Sequence, residues 1–135
     1  MAGYSGTPLV RKLGIKPGFR LCVIGAPRPY AEMVEDLPPD VAMVSKLSFS
    51  VEFVHIFETT RKGLDRHIVA LGRALKPDGI AWISWPKKAS GMPSEIGEND
   101  IRAAELPVGL VDVKVCAVDE TWSGLKLVWR VEKRV

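Results

Sequence analysis

The stretch from Val51 to Trp85 constrains the fold more than any other part of the chain. Val51, Phe53, Val54, Ile56 and Phe57 form a run apolar on both faces, as expected of a strand buried within a parallel sheet. Thr59 or Thr60 then offers an N-cap. Leu64, Ile68, Leu71 and Leu75 follow at i, i+4, i+7 and i+11, a single helical stripe facing that sheet. Pro77-Asp78-Gly79 stops the helix, and Ile80 to Trp85 is again almost wholly apolar. Strand, helix and strand over about 30 residues make a βαβ unit.

The flanking segments extend the sheet on both sides. Thr7-Pro8 reads as an N-cap with proline at the first helical position, and Gly14 closes a short helical arm within residues 1–15. Phe19 to Ile24, interrupted only by Arg20, is the first central strand, and Gly25-Ala26-Pro27 ends it. A helix is expected from Pro29 to Asp36, with Tyr30, Met33 and Val34 inward and Pro38-Pro39 at its close. Val41 to Val44 has the composition of a short strand, but only six residues separate it from the next one. That is too few for a helical crossover, so its place in the sheet stays open. Beyond the loop from Pro86 to Pro93, a helix starts near Ser94 or Asn99 and ends before Pro107. Leu110 to Val118 and Leu125 to Val131, joined by residues 119–124, close the chain as an antiparallel hairpin. The hairpin leaves an edge strand open to a second copy, opposed by Arg130, Glu132 and Lys133, so a monomer or weak homodimer is expected.

Composition limits the function classes. With 135 residues, 47% hydrophobic and 26% charged, the chain reads as one globular domain that needs no disulfide or metal for stability. Cys22 and Cys116 sit in apolar runs and read as small hydrophobes, and no His/Cys cluster offers a metal site. No secretory leader or apolar stretch of about 20 residues is present, which leads to a cytoplasmic expectation and no membrane partner. The formal charge of +3 comes without a basic stripe, so nucleic acid is not an expected partner.

The order of elements resembles the class I methyltransferase fold, shortened after Val44. Lys16-Pro17-Gly18-Phe19-Arg20-Leu21-Cys22-Val23-Ile24-Gly25 is similar to the approach to the first strand of those enzymes. Leu75-Lys76-Pro77-Asp78-Gly79-Ile80-Ala81-Trp82-Ile83-Ser84 is similar to the stretch after their fourth helix. The resemblance implies an α/β domain with an open, mostly parallel Rossmann-like sheet, helices on both faces and a C-terminal antiparallel hairpin. Gly3 to Leu9, Ser84 to Ser90 and Val118 to Leu125 also resemble a family of short bacterial proteins known only as a domain of unknown function. Methyltransferases hold S-adenosylmethionine with an acid and a glycine-rich turn after the first strand, because glycine admits the ligand close to the backbone. Here Val23 stands for the acid, and Pro27, which has no N–H, stands for the second glycine. Ser45-Lys46 replaces the ribose-binding acid. No cofactor is therefore expected, S-adenosylmethionine being disfavoured by Val23 and Pro27.

Ligands of open α/β sheets collect at the carboxyl ends of the parallel strands. That rule selects Gly25, Arg28 and Tyr30 after the first strand, Glu58, Thr59, Thr60 and Arg61 after the second, and Trp85, Lys87, Lys88 and Ser90 after the third. Asp119 and Trp122 of the hairpin project from the same edge. Together with exposed helix N-termini, this rim suits an anionic or planar ligand. Each element also has a plainer reading: lysines as solvated loop charges, Trp85 and Trp122 as covers of the core end, Asp119 as turn chemistry, His55 as an interior residue and His67 as a solvated one. No catalytic residue is assigned. The expectation is a non-catalytic or regulatory module that binds a small anionic or nucleotide-like ligand or a protein partner on this rim. The alternative is an S-adenosylmethionine-dependent methyltransferase with a degenerate cofactor loop.

Overall fold

A computed structural model describes residues 7–134. Gly3 to Gly6, part of the N-terminal resemblance, lie outside the described residues. The elements are α1 (Leu9–Leu13), β1 (Arg20–Ile24), α2 (Tyr30–Met33), β2 (Ala42–Val44), β3 (Phe53–Phe57), α3 (Arg61–Ala74), β4 (Ile80–Pro86), α4 (Glu98–Glu105), β5 (Leu110–Ala117) and β6 (Trp122–Trp129). They build one six-stranded sheet in the order β2-β1-β3-β4-β6-β5. The four strands from β2 to β4 are parallel, and β6 runs antiparallel to both β4 and β5. This is the expected mixed α/β architecture, with a hairpin closing a mostly parallel sheet. Among the described residues, no helix is long and apolar enough to cross a membrane.

The apolar runs were legible because both faces of the central strands are covered. On one face, Leu64, Ile68 and Leu71 of α3 and Ile101 of α4 pack with Val54, Ile56, Ile83, Leu125 and Leu127. On the other, Leu13, Tyr30 and Met33 pack with Leu21, Phe53, Phe57 and Trp82. Burying each large aliphatic side chain contributes about 2 kcal/mol, which is how a helix as short as α1 can hold its place. The Trp82 indole N–H also donates to the Leu13 carbonyl at 2.9 Å, tying α1 to β4.

Several local expectations are corrected. The α2 helix is a single turn, ending at Val34 in extended conformation, because Asp36 at φ 60 turns the chain toward Pro38-Pro39. The Val41–Val44 segment finds its place as β2, at the outer side of β1 and not beside β3. Its three residues are short enough for a plain loop to return, and Leu47 on that loop packs against the α3 side of the core. Trp122 begins β6 instead of lying in the turn, since the Asp119 carboxylate closes the turn by accepting from the Thr121 and Trp122 amides at 2.9 and 2.8 Å. The edge strand of the hairpin is therefore β5, with β6 inside the sheet. A register shift between Asp112 and Lys114 breaks that edge, and such a bulge opposes pairing with a second copy.

Candidate functional site

Strand order reverses at β1, which has β2 on one side and β3 on the other. A crevice forms at such a reversal, at the carboxyl ends of β1 and β3. Gly25 occupies that point. Its φ is 74, and a methyl group on it would stand 2.6 Å from the Phe57 carbonyl oxygen, so the turn closes tightly over the end of β3. Arg28 follows and reaches across to the β5–β6 turn, pairing with the Asp119 carboxylate at 3.3 Å. The Lys87 ammonium donates to the Asp119 carbonyl at 2.9 Å, and the Lys87 amide donates to the Thr121 carbonyl at 2.8 Å. Arg28, Lys87 and Asp119 are thus one cluster, in which two cations already have oxygen partners from the hairpin. The Arg28–Asp119 pair is half exposed and contributes at most about 1 kcal/mol, so a stronger anion can displace it.

The aromatic side chains of the expected rim point inward. Tyr30, Trp85 and Trp122 are 5%, 8% and 5% exposed. Trp122 meets Phe57 edge to face at 5.3 Å and covers the end of the core. The Tyr30 hydroxyl lies 2.6 Å from His55 Nδ1, and His55 Nε2 lies 2.8 Å from the Ser84 hydroxyl. A neutral imidazole has one donor and one acceptor nitrogen, and this Tyr30–His55–Ser84 chain satisfies both. Complete burial pushes the His55 pKa down to about 3, so the ring is neutral around neutral pH and is an interior residue.

The second half of the edge is built around Glu58. One of its oxygens accepts from the Thr59 and Thr60 amides, each at 2.9 Å, and from the Thr60 hydroxyl at 3.0 Å. The other faces His67 Nε2 at 3.2 Å. Burial pushes the Glu58 pKa up, but these hydrogen bonds and the histidine outweigh it and hold the carboxyl below its ordinary range. Thr60 caps α3 by accepting from the Gly63 amide at 3.0 Å, and Glu95 accepts from the Arg61 amide at 2.8 Å. The N-terminus of α3, expected to be open to an anion, is therefore filled by two of the chain's own carboxylates. Arg61 is likewise engaged, by Asp100. Lys88 and Ser90 stand exposed on a 3-10 turn, Ser90 donating to the Lys87 carbonyl at 2.7 Å.

Sequence reasoning missed His67, Glu95, Asp100 and Gly63. His67 is not simply solvated, since it faces the Glu58 carboxylate from the first turns of α3. Glu95 and Asp100 arrive through a loop whose path no local pattern reveals. Gly63 leaves the space that Glu58 occupies, since a methyl group there would lie 1.9 Å from the carboxylate. Gly63→Ala should lower stability by about 1–2 kcal/mol despite the better helix propensity of alanine. In a Glu58→Ala background the same change should stabilise by about 0.5–1 kcal/mol. Urea unfolding of the double-mutant cycle measures both, and additive effects would show that Gly63 does not serve Glu58.

Set against S-adenosylmethionine, these residues fit in part. The tight turn at Gly25 stands at the strand-order reversal, where open α/β sheets bind their ligands, and packs on the Phe57 carbonyl. The acids of the usual mode have no counterpart, because Val23 is apolar, Pro27 lacks an N–H, and exposed Ser45 and Lys46 follow β2. Any contact there must come from side chains such as Arg28.

No protein-family model matches the chain, and no curated protein matches it in sequence, so the resemblance to the domain of unknown function gains no support from those comparisons. Solved structures do match. A type 11 methyltransferase candidate from Sulfolobus solfataricus is 16% identical, with a TM-score of 0.65 over 91% of this chain and 90% of that one. A SAM-dependent methyltransferase from Aquifex aeolicus is 15% identical, with a TM-score of 0.57 over 88% and 86%. Fibrillarin from Aeropyrum pernix, solved with natively bound S-adenosyl-L-methionine, is 14% identical, with a TM-score of 0.55 over 94% and 71%. At such identities the likeness is one of fold, and the fold is that of the class I S-adenosylmethionine methyltransferases.

Proposed function

We propose that the chain binds an S-adenosyl compound at the carboxyl ends of β1 and β3, as an S-adenosylmethionine-dependent methyltransferase with an altered cofactor loop. The observation that carries this reading is the Gly25 turn, positive in φ and packed on the Phe57 carbonyl at the strand-order reversal of a methyltransferase fold. Fibrillarin from Aeropyrum pernix, solved with bound S-adenosyl-L-methionine, and the SAM-dependent methyltransferase from Aquifex aeolicus support it. In this reading the Gly25 turn shapes the ligand edge, and Arg28, released from Asp119, takes over contacts that a second glycine's amide would make.

A second reading is a non-catalytic module for a small anionic ligand or a protein partner. It is favoured by the Arg28–Asp119–Lys87 cluster and by the engagement of Glu58 with His67 and the threonine amides. Calorimetry with S-adenosylmethionine and S-adenosylhomocysteine separates the two. Micromolar binding by the wild type is expected, made weaker by Arg28→Ala and roughly fivefold tighter by Pro27→Gly, which restores one N–H donor. If neither compound binds either the wild type or Pro27→Gly, while ADP or inorganic phosphate binds through Arg28, the second reading replaces the first.

A further inference from the structure

We infer a second ligand site, on the α1 side of the sheet and built independently of the carboxyl edge, where Lys16, Lys114 and Lys126 hold a phosphoryl group against the end of α1. Lys114 and Lys126 are direct cross-strand partners in the β5–β6 ladder. Lys126 lies between Leu125 and Leu127, which face α3, so it points to the α1 face, as does its β4 partner Trp82. Directly opposed residues of antiparallel strands have their Cβ atoms about 5 Å apart, and like charges there destabilise the sheet. Both ammonium groups also converge on one turn. Lys114 Nζ donates to the Lys12 carbonyl at 3.0 Å, and Lys126 Nζ comes within 3.7 Å of where a methyl group on Gly14 would stand.

Lys16, exposed two residues after Gly14, is near enough for its charge to act on Lys126. Burial lowers the Lys126 pKa, and Lys114 and Lys16 lower it further. None of Lys16, Lys114 and Lys126 pairs with a carboxylate of the described residues. Capping of α1 accounts for Lys114, whose ammonium meets a helix-end carbonyl, but not for Lys126 or Lys16. An anion accounts for all three. A phosphoryl group brings about two negative charges and three acceptor oxygens, whereas a carboxylate would leave most of the repulsion in place. Lysine suits phosphate as a point charge. The tryptophans of this face, Trp82 and Trp122, are buried, so the lysines lack the exposed aromatic platform on which nucleic-acid bases stack.

The test is calorimetry and thermal unfolding with inorganic pyrophosphate, against sodium chloride at equal ionic strength. One pyrophosphate per chain is expected to bind the wild type and to raise Tm more than chloride does. Lys126→Met keeps the aliphatic stem and should weaken binding roughly tenfold, the worth of one charged hydrogen bond. It should also raise Tm in the absence of pyrophosphate, because repulsion is relieved. Lys126→Arg should retain binding. Equal protection by chloride, undiminished affinity in the Lys114→Met/Lys126→Met double variant, or binding of a single-stranded oligonucleotide without binding of pyrophosphate would each overturn the site. Loss of pyrophosphate binding through these lysines leaves S-adenosylmethionine binding at Gly25 untouched, so the two proposals fail separately.

Discussion

Gly25→Ala is expected to lower the unfolding free energy by about 3 kcal/mol and Tm by roughly 10 °C. Two independent penalties add at this residue. A side chain disfavours the left-handed backbone at φ 74, and its Cβ would press on the Phe57 carbonyl at 2.6 Å. The clash is with backbone in a central strand, so relief requires β1 and β3 to move apart and not a rotamer change. The contrasting change, Pro27→Gly, should cost only about 0.4–1 kcal/mol, through the entropy of the unfolded chain. Urea unfolding reads both. A Gly25→Ala protein whose Tm lies within about 2 °C of the wild type would mean that the turn is not fixed as described.

Stability should depend on pH through two buried groups of opposite sign. His55 is pushed down to about 3 by burial, so below pH 6.5 the unfolded chain takes up a proton that the folded one refuses. Its contribution is complete above pH 6.5 and is lost as pH falls toward 3. Glu105 is fully buried, with neither carboxyl oxygen receiving a hydrogen bond, and burial first, then the charge of Asp112, push it up to about 8. Protonated, it can donate to the Asp112 carboxylate. Its contribution is complete below pH 4.5 and is lost as pH rises toward 8.

Each shift amounts to roughly 5 kcal/mol over its window. Wild-type stability should therefore rise as pH falls from 8 to 6.5, stay nearly level to 4.5 and then fall, His67 adding to the histidine side. Glu52, Glu58 and Asp112, all held below their ordinary range, add losses only at the acid end. Glu105→Gln should remove the rise between pH 8 and 6.5, exposing a decline from pH 6.5 downward. His55→Gln should leave stability rising from pH 8 to 4.5. Urea midpoints across pH 4.5–8 decide it, and an unchanged profile in Glu105→Gln would mean that Glu105 is ionised in the folded protein.

The strands from Leu21 to Ile24, Phe53 to Phe57 and Ile80 to Trp85, and the stripe of α3, were legible because each is a local pattern that one covered sheet enforces. Gly25 could be singled out for the same reason, since it directly follows the first such strand. The helical pattern placed Tyr30 inward, where it meets His55, but the direction of Trp85 and Trp122 was not legible. A residue at a strand end turns outward or inward according to which neighbours cover it, and Phe57 is the neighbour that draws Trp122 inside.

By itself, then, the sequence determined a mostly parallel α/β sheet with a tight glycine turn at the end of its first strand, because hydrophobic period and turn chemistry are properties of consecutive residues. Tertiary structure alone decided that Asp119 meets Arg28 across 91 positions, that Glu58 fills the start of α3, and that Lys114 stands opposite Lys126. Charges lose their freedom when folding brings distant segments together, and no local pattern records which of them will meet.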